Sequence, residues 1–177
     1  SVVANAALVP LPSASVYRDR LLGAVARGNG ERDWAVIAVE QARASGLRTL
    51  LEPRLITAPA GSLAGAGPQG GETGWQKFFD GYARFVVHCG LLAELAGADG
   101  LALGGGLAAT TRRTDGGRRS KATLDEWRRS GWSQVVRAAR GAFAGWLTWK
   151  ADSSVEATEL SFWDELDVLA CDLEAGI

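Results

Sequence analysis

The sequence predicts an α/β fold in which short parallel strands alternate with helices. Two patterns carry that expectation. Short apolar, β-compatible runs recur along the chain, and the segments between them place apolar residues at i, i+3, i+4 and i+7. A third observation is compositional. With 177 residues, 47% hydrophobic, 22% charged and seven Trp, the chain can bury a real core as a single domain spanning 1–177.

The elements follow in order. Residues 2–9 form an apolar run that stops at Pro10 and Pro12, which cannot continue a central strand. After a Gly/Arg/Asn loop at 18–32, Asp33 can cap a helix over 34–45, with Gly46 at C′. Residues 47–51 read as a strand ending at Glu52-Pro53, followed by a long Gly/Ala/Pro loop over 58–74. Thr73 can cap the next helix. There Trp75, Phe78, Phe79, Tyr82, Phe85, Val86 and Cys89 make a wide apolar stripe, and Gly97 ends it. Residues 101–103 are a very short strand closed by Gly104, Gly105 and Gly106. A basic loop covers 110–121, and Thr123 with Glu126 forms a T-x-x-E capping box. The helix after it buries Leu124, Trp127, Val135, Val136, Ala139 and Phe143 and stops at Gly145. Residues 146–151 are the next strand, 159–166 a short helix and 168–171 a last strand.

Five strands alternating with helices imply right-handed crossovers and a parallel sheet. An open doubly wound sheet and part of a (β/α)₈ barrel both satisfy that order. Neither G-x-G-x-x-G nor G-x-x-x-x-G-K-[ST] occurs at the strand-helix junctions, so dinucleotide and P-loop functions lose their main support and no cofactor is expected. The net charge of −1 supplies no field for nucleic acid, and no apolar run is long enough to cross a membrane. Two Cys make neither a zinc site nor a disulfide framework. Cys89 and Cys171 read as buried thiols, and His88, in mid-helix, as structural. No metal site is expected. Residues 1–12 lack a basic start and a long apolar stretch, which leaves two compartments open: the cytoplasm, or an extracytoplasmic site after removal of a leader.

Several stretches resemble the β-mannanase-like TIM-barrel glycosidases of glycoside hydrolase family 113. Asn5-Ala6-Ala7-Leu8-Val9-Pro10 is similar to that family's second strand, and Gly46-Leu47-Arg48-Thr49-Leu50-Leu51-Glu52-Pro53 to its third. Trp75 through Leu103 resembles the third helix and fourth strand, Gly145-Trp146-Leu147-Thr148-Trp149 the fifth strand, and Phe162-Trp163-Asp164-Glu165-Leu166-Asp167-Val168 the lead into the sixth. The resemblance implies a partial or degenerate barrel of about five strands, with strand one lying before Ser1 and strands seven and eight after Ile177. A retaining glycosidase needs two carboxyl groups about 5 Å apart. In the family the acid/base follows the fourth strand in a gly-x-glu-leu pattern. Here the place reads Gly104-Gly105-Gly106-Leu107, with Gly106 where the acid belongs, and the nucleophile's strand lies beyond this sequence. No catalytic residue is therefore assigned. The implied role is a non-catalytic, glycosidase-like scaffold whose open barrel face is covered by a protein partner or by self-association. The alternatives are a piece of an active hydrolase of mannan-like polysaccharide and an oligosaccharide-binding pseudoenzyme.

Four residues are candidates for sugar contact. Glu52 ends a strand on the face where barrel chemistry gathers, although pairing with Arg54 or another nearby Arg is the plainer reading. Asp172 and Glu174, at i and i+2, share one face of a strand end. Trp149 would open onto the same face as a stacking platform, against the ordinary role of such a Trp in the core. Trp75 and Trp163 read as core. In the basic loop Arg112, Arg113, Arg118 and Arg119 can grip an anion or an acidic partner, unless they are simply solvated. No aromatics are interleaved there, which disfavours single-stranded nucleic acid.

Overall fold

The computed structural model describes residues 34–53, 68, 71–111 and 121–171. The expected strand at 2–9, the Asp33 cap and most of the two long loops lie outside the described residues. Within them the order is α1 (Trp34–Ala44), β1 (Leu50–Leu51), α2 (Gly71–Ala96), β2 (Gly100–Ala102), α3 (Ala108–Thr111), α4 (Lys121–Ala142), β3 (Trp146–Ala151), α5 (Ser154–Glu159), a 3₁₀ turn (Trp163–Glu165) and β4 (Val168–Cys171).

The four described strands form one sheet in the order β1-β2-β3-β4, every pair parallel. A doubly wound sheet reverses its strand order, which sends helices to both faces. An unreversed order with crossovers of one hand keeps the helices on one face and curls the sheet, which is the construction of a barrel wall. The chain is a partial (β/α) barrel.

Registration divides the side chains between the two faces. Leu51, Leu101 and Leu147 are in register and fully buried, and with Trp149 and Ala151 they face the helices. Leu50, Gly100 and Trp146 share the other, barrel-interior face. The Trp146 ring lies over Gly100 so closely that a Cβ there would fall 2.3 Å from it.

The helix layer is held by aromatics. The α2 stripe docks as its spacing predicts, with Trp75, Phe79, Tyr82, Phe85, Val86 and Cys89 buried and Phe78 partly so. Trp132 of α4, completely buried, is the hub. It meets Phe79 and Tyr82 of α2 edge-on at 5.4 and 5.3 Å, Trp149 of β3 edge-on at 4.6 Å, and stacks on Phe162 at 5.2 Å. Such contacts each add about 0.5–1.5 kcal/mol beyond the area they bury.

Two carboxylates fasten the amino-terminal ends of the strands. Asp99, just before β2, accepts the Thr49 N–H at 2.7 Å, and Asp167, just before β4, accepts the Leu147 N–H at 2.7 Å. In each case the residue leading into one strand satisfies an N–H at the start of the neighbouring strand. These hydrogen bonds hold both carboxyls below the ordinary range: for Asp99 the Thr49 backbone leads, and for Asp167 the Leu147 N–H and Arg140 outweigh burial.

Several boundaries differ from the sequence expectations. The strand expected over 47–51 shortens to Leu50–Leu51, because the Leu47 N–H closes α1 on the Ala42 carbonyl and the Thr49 N–H goes to Asp99. α2 starts at Gly71 and α4 at Lys121, so Thr73 and Thr123 lie inside helices instead of capping them. The helix expected over 159–166 is replaced by α5 and the 3₁₀ turn, since Ser153 caps α5 by accepting the Glu156 N–H.

Candidate functional site

The carboxyl ends of β1, β2 and β3 bring together Glu52, the Gly104-Gly105-Gly106 turn, Lys150 and Asp152. Glu52 is buried and its Oε1 lies 3.7 Å from Lys150 Nζ across the sheet. Lys150 of β3 is a partner the local sequence did not nominate, because the pairing needs two strands to be laid side by side, and Arg54 lies outside the described residues. The glycine turn is tied down from β3: the Lys150 N–H donates to the Gly104 carbonyl at 3.1 Å, and the Gly106 N–H donates to Asp152 Oδ1 at 3.1 Å.

Two of the three glycines are obliged to be glycine. A Cβ on Gly104 would stand 2.6 Å from the Tyr82 hydroxyl and 2.8 Å from the Trp149 ring. Gly106 has φ +72, where a side chain is strained even though the space around it is open. The Tyr82 O–H donates to the Leu103 carbonyl at 2.7 Å, and burial, with Cys89 adding to it, pushes the phenol far above its ordinary range. Tyr82 is therefore a fixed donor beneath the turn and no proton exchanger at neutral pH.

Beside this mouth lies a buried carboxylate that sequence reasoning missed. Glu156 of α5 is 1% exposed. Its Oε1 accepts the Thr111 hydroxyl at 2.6 Å and the Trp149 indole N–H at 3.2 Å, and its Oε2 accepts the Asp152 N–H at 2.8 Å. It joins α3, β3 and α5 into one rim. A carboxylate engaged by three donors and closed to solvent is a strut, with no reach toward a substrate. The signal that could have found it is Ser153-x-x-Glu156, a capping-box spacing.

Trp149 requires a correction. Its side chain is fully buried against Trp132 and Phe162, with its N–H on Glu156, so it does not open onto the mouth and cannot stack a sugar. The reason is strand parity: Trp149 points to the helices, and Lys150 next to it takes the other face. Trp75 is core as expected, and Trp163 is partly buried with its N–H on the Ala157 carbonyl. Asp172, Glu174, Arg112, Arg113, Arg118 and Arg119 lie outside the described residues. Among the described residues no three His, Cys, Asp or Glu side chains gather as metal ligands, and no helix is long and apolar enough to cross a membrane.

A parallel sheet in unreversed order, helices on one face and polar groups gathered at the strands' carboxyl ends define a (β/α)-barrel protein. The family model of glycoside hydrolase family 113 matches residues 31–174, and the chain belongs to that family. Among solved structures, a GH113 beta-1,4-mannanase matches with TM-score 0.58 and 19% identity over 78% of this chain. The GH113 beta-mannanase AaManA from Alicyclobacillus acidocaldarius, in complex with ManMIm, matches with TM-score 0.60 and 17% identity, again over 78% of this chain. The sequence spans 41% of the length of each of these structures. No curated protein matches the chain.

Proposed function

We propose that this chain is a non-catalytic, glycosidase-like module that acts by contact. The observation that carries the reading is Gly106. The family resemblance puts the general acid there, and the turn that occupies the place offers a backbone N–H already given to Asp152. This position lies inside the chain, between β2 and α3. Glu156, fully buried beside the mouth, is held by three donors and does not replace the acid.

The contact surface in this reading is the outer described strand. On β4 Leu169 is 68% exposed and Val168 is 44% exposed, an apolar edge that a protein partner, a second copy or further chain would cover. A second reading, an oligosaccharide-binding pseudoenzyme, is favoured by the Glu52–Lys150 pair, which sets an acceptor and a donor side by side at the mouth where sugar hydroxyls could bridge them.

The test uses the full-length protein with a dinitrophenyl β-mannobioside and with mannotetraose, each with and without azide. A dinitrophenolate leaves without protonation, so this substrate reports the nucleophile alone, and azide replaces a missing general base. The reading expects no turnover of either substrate. Azide-dependent formation of a mannosyl azide, or cleavage of mannotetraose, overturns it. Calorimetry with mannotetraose on the same preparation separates the scaffold, which gives no heat, from the binding pseudoenzyme.

A further inference from the structure

A groove between the amino-terminal part of α2 and the middle of α4 closes into a pocket of about 210 Å³. Glu72, Trp75 and Phe79 of α2 stand on one side, and Trp127, Ser130 and Gly131 of α4 on the other. Gly131 gives the pocket its depth. A Cβ there would come 2.1 Å from the Phe79 ring, so the floor is aromatic ring against bare backbone. The pocket shares no residue with the mouth around Glu52, Lys150 and Asp152.

Its charge is simple. Glu72 is the one ionisable side chain among the residues that line it. Glu72 is exposed, and among the described residues it makes no hydrogen bond or ion pair. Gln134 at the far end is already engaged, donating to Asp80 Oδ1 at 3.1 Å. Trp127 is partly buried, and among the described residues its ring stacks on no other aromatic and its N–H has no hydrogen-bond partner. Trp75 and Phe79 close the pocket from below, both buried.

A carboxylate without a partner beside aromatic rings attracts an organic cation. The ring faces are negative, and the carboxylate supplies the counter-charge. Trp75 already shows the preference, with the Arg128 guanidinium carbon 5.2 Å from its ring centroid. Arg128 does not itself line the pocket, and Asp125 meets its charge at 3.5 Å. Other ligands fit the wall less well. A phosphate finds no cation there and is repelled by Glu72. A metal ion finds one carboxylate where a hard cation takes about six oxygens. The volume is below the range of drug-sized sites, which starts at about 300 Å³, and suits a single head group. We infer that this groove is a binding site for an alkylammonium head group, whose charge rests against Glu72 and whose methyl or methylene surface packs on Trp127. The site does not rest on the reading of the mouth.

The full chain, labelled with ¹⁵N, is titrated at constant ionic strength with choline and with acetyl-lysine methylamide. Parallel titrations use dimethylbutanol, the uncharged isostere of choline, mannose and inorganic phosphate. Choline is expected to give saturable shifts at the Trp127 indole and at the Gln76 and Ser130 amides, and dimethylbutanol none at the same concentrations. Saturation by choline alone identifies a free quaternary ammonium as the ligand, and saturation by the lysine derivative alone a protein side chain; both support the inference. Glu72→Gln changes an exposed side chain and keeps the fold, which unchanged resonances elsewhere verify. It is expected to weaken cation binding roughly tenfold, and Trp127→Leu roughly fivefold. Absence of shifts at these residues with either cation overturns the inference. So do equal shifts with dimethylbutanol, stronger binding of mannose or phosphate than of either cation, and an affinity that Glu72→Gln leaves unchanged.

Discussion

Glu156→Ala is the perturbation that most directly tests how the rim is built. The substitution removes the acceptor of two buried donors, the Thr111 hydroxyl and the Trp149 indole, and of the part-buried Asp152 backbone N–H. A buried donor left without a partner costs about 1–3 kcal/mol. Two such donors, with a third that water can reach more readily, give a loss of roughly 3–5 kcal/mol. Domains of this size are stable by about 5–15 kcal/mol, so the variant would fold marginally. At about 2–4 °C per kcal/mol the melting temperature should fall by roughly 6–20 °C. Glu156→Gln keeps the shape and one good acceptor. Its amide oxygen can face Thr111 and Trp149, which turns the NH₂ toward the Asp152 N–H, donor against donor, at a cost of roughly 1–2 kcal/mol. Urea unfolding followed by Trp fluorescence measures both, since Trp149 is one of the reporters. A Glu156→Ala protein within about 1 kcal/mol of the parent, or a Gln variant as damaged as the Ala variant, would refute the reasoning that acceptor count is what matters here.

Two further predictions concern the fold. Asp99 and Asp167 both sit below the ordinary carboxylate value of about 3.9. The stability they add is therefore complete above that pH and is lost as the pH falls through their folded values. Urea midpoints measured from pH 7 down to about pH 2.5 should fall most steeply below about pH 4, and Asp99→Asn or Asp167→Asn should flatten that decline; an unchanged slope in both variants would remove the carboxylate fastening. Gly131 of α4 touches α2 so closely that a Cβ would come within 2.1 Å of the Phe79 ring. Gly131→Ala should cost about 1–3 kcal/mol through the displaced ring, despite alanine's better helix propensity, and a neutral or stabilising result in thermal melts would show that the two helices can separate freely.

How much of this was legible in the sequence depends on the range of the interaction that decides each feature. The apolar stripe of α2, the Gly97 stop and the spans of β3 and β4 rest on periodicity and local turn chemistry, and they appear in the structure where the residues place them. Helix starts were harder to read. Several Thr, Ser and Asp can serve as caps near each start, and the choice among them is made by packing, as α2 and α4 show. The family was readable from the order of short segments, none of which is specific alone.

The site needed three dimensions. Whether a tryptophan at the end of a strand faces sugar or core is a question of parity, and Trp149 went to the core because its neighbour Lys150 took the other face. Glu52 found Lys150, nearly a hundred residues away in sequence, because β1 and β3 flank β2 in one sheet. Glu156 became a buried strut because α3, β3 and the residue that follows β3 delivered donors to one point. The sequence alone determined the period and the punctuation, including the glycine turn at Gly104-Gly105-Gly106, all of which are properties of residues within a turn or two of one another. Only the tertiary structure decided which carboxylates are paired, which are buried and which aromatics are accessible, because those depend on distances between segments that the chain brings together after each has formed.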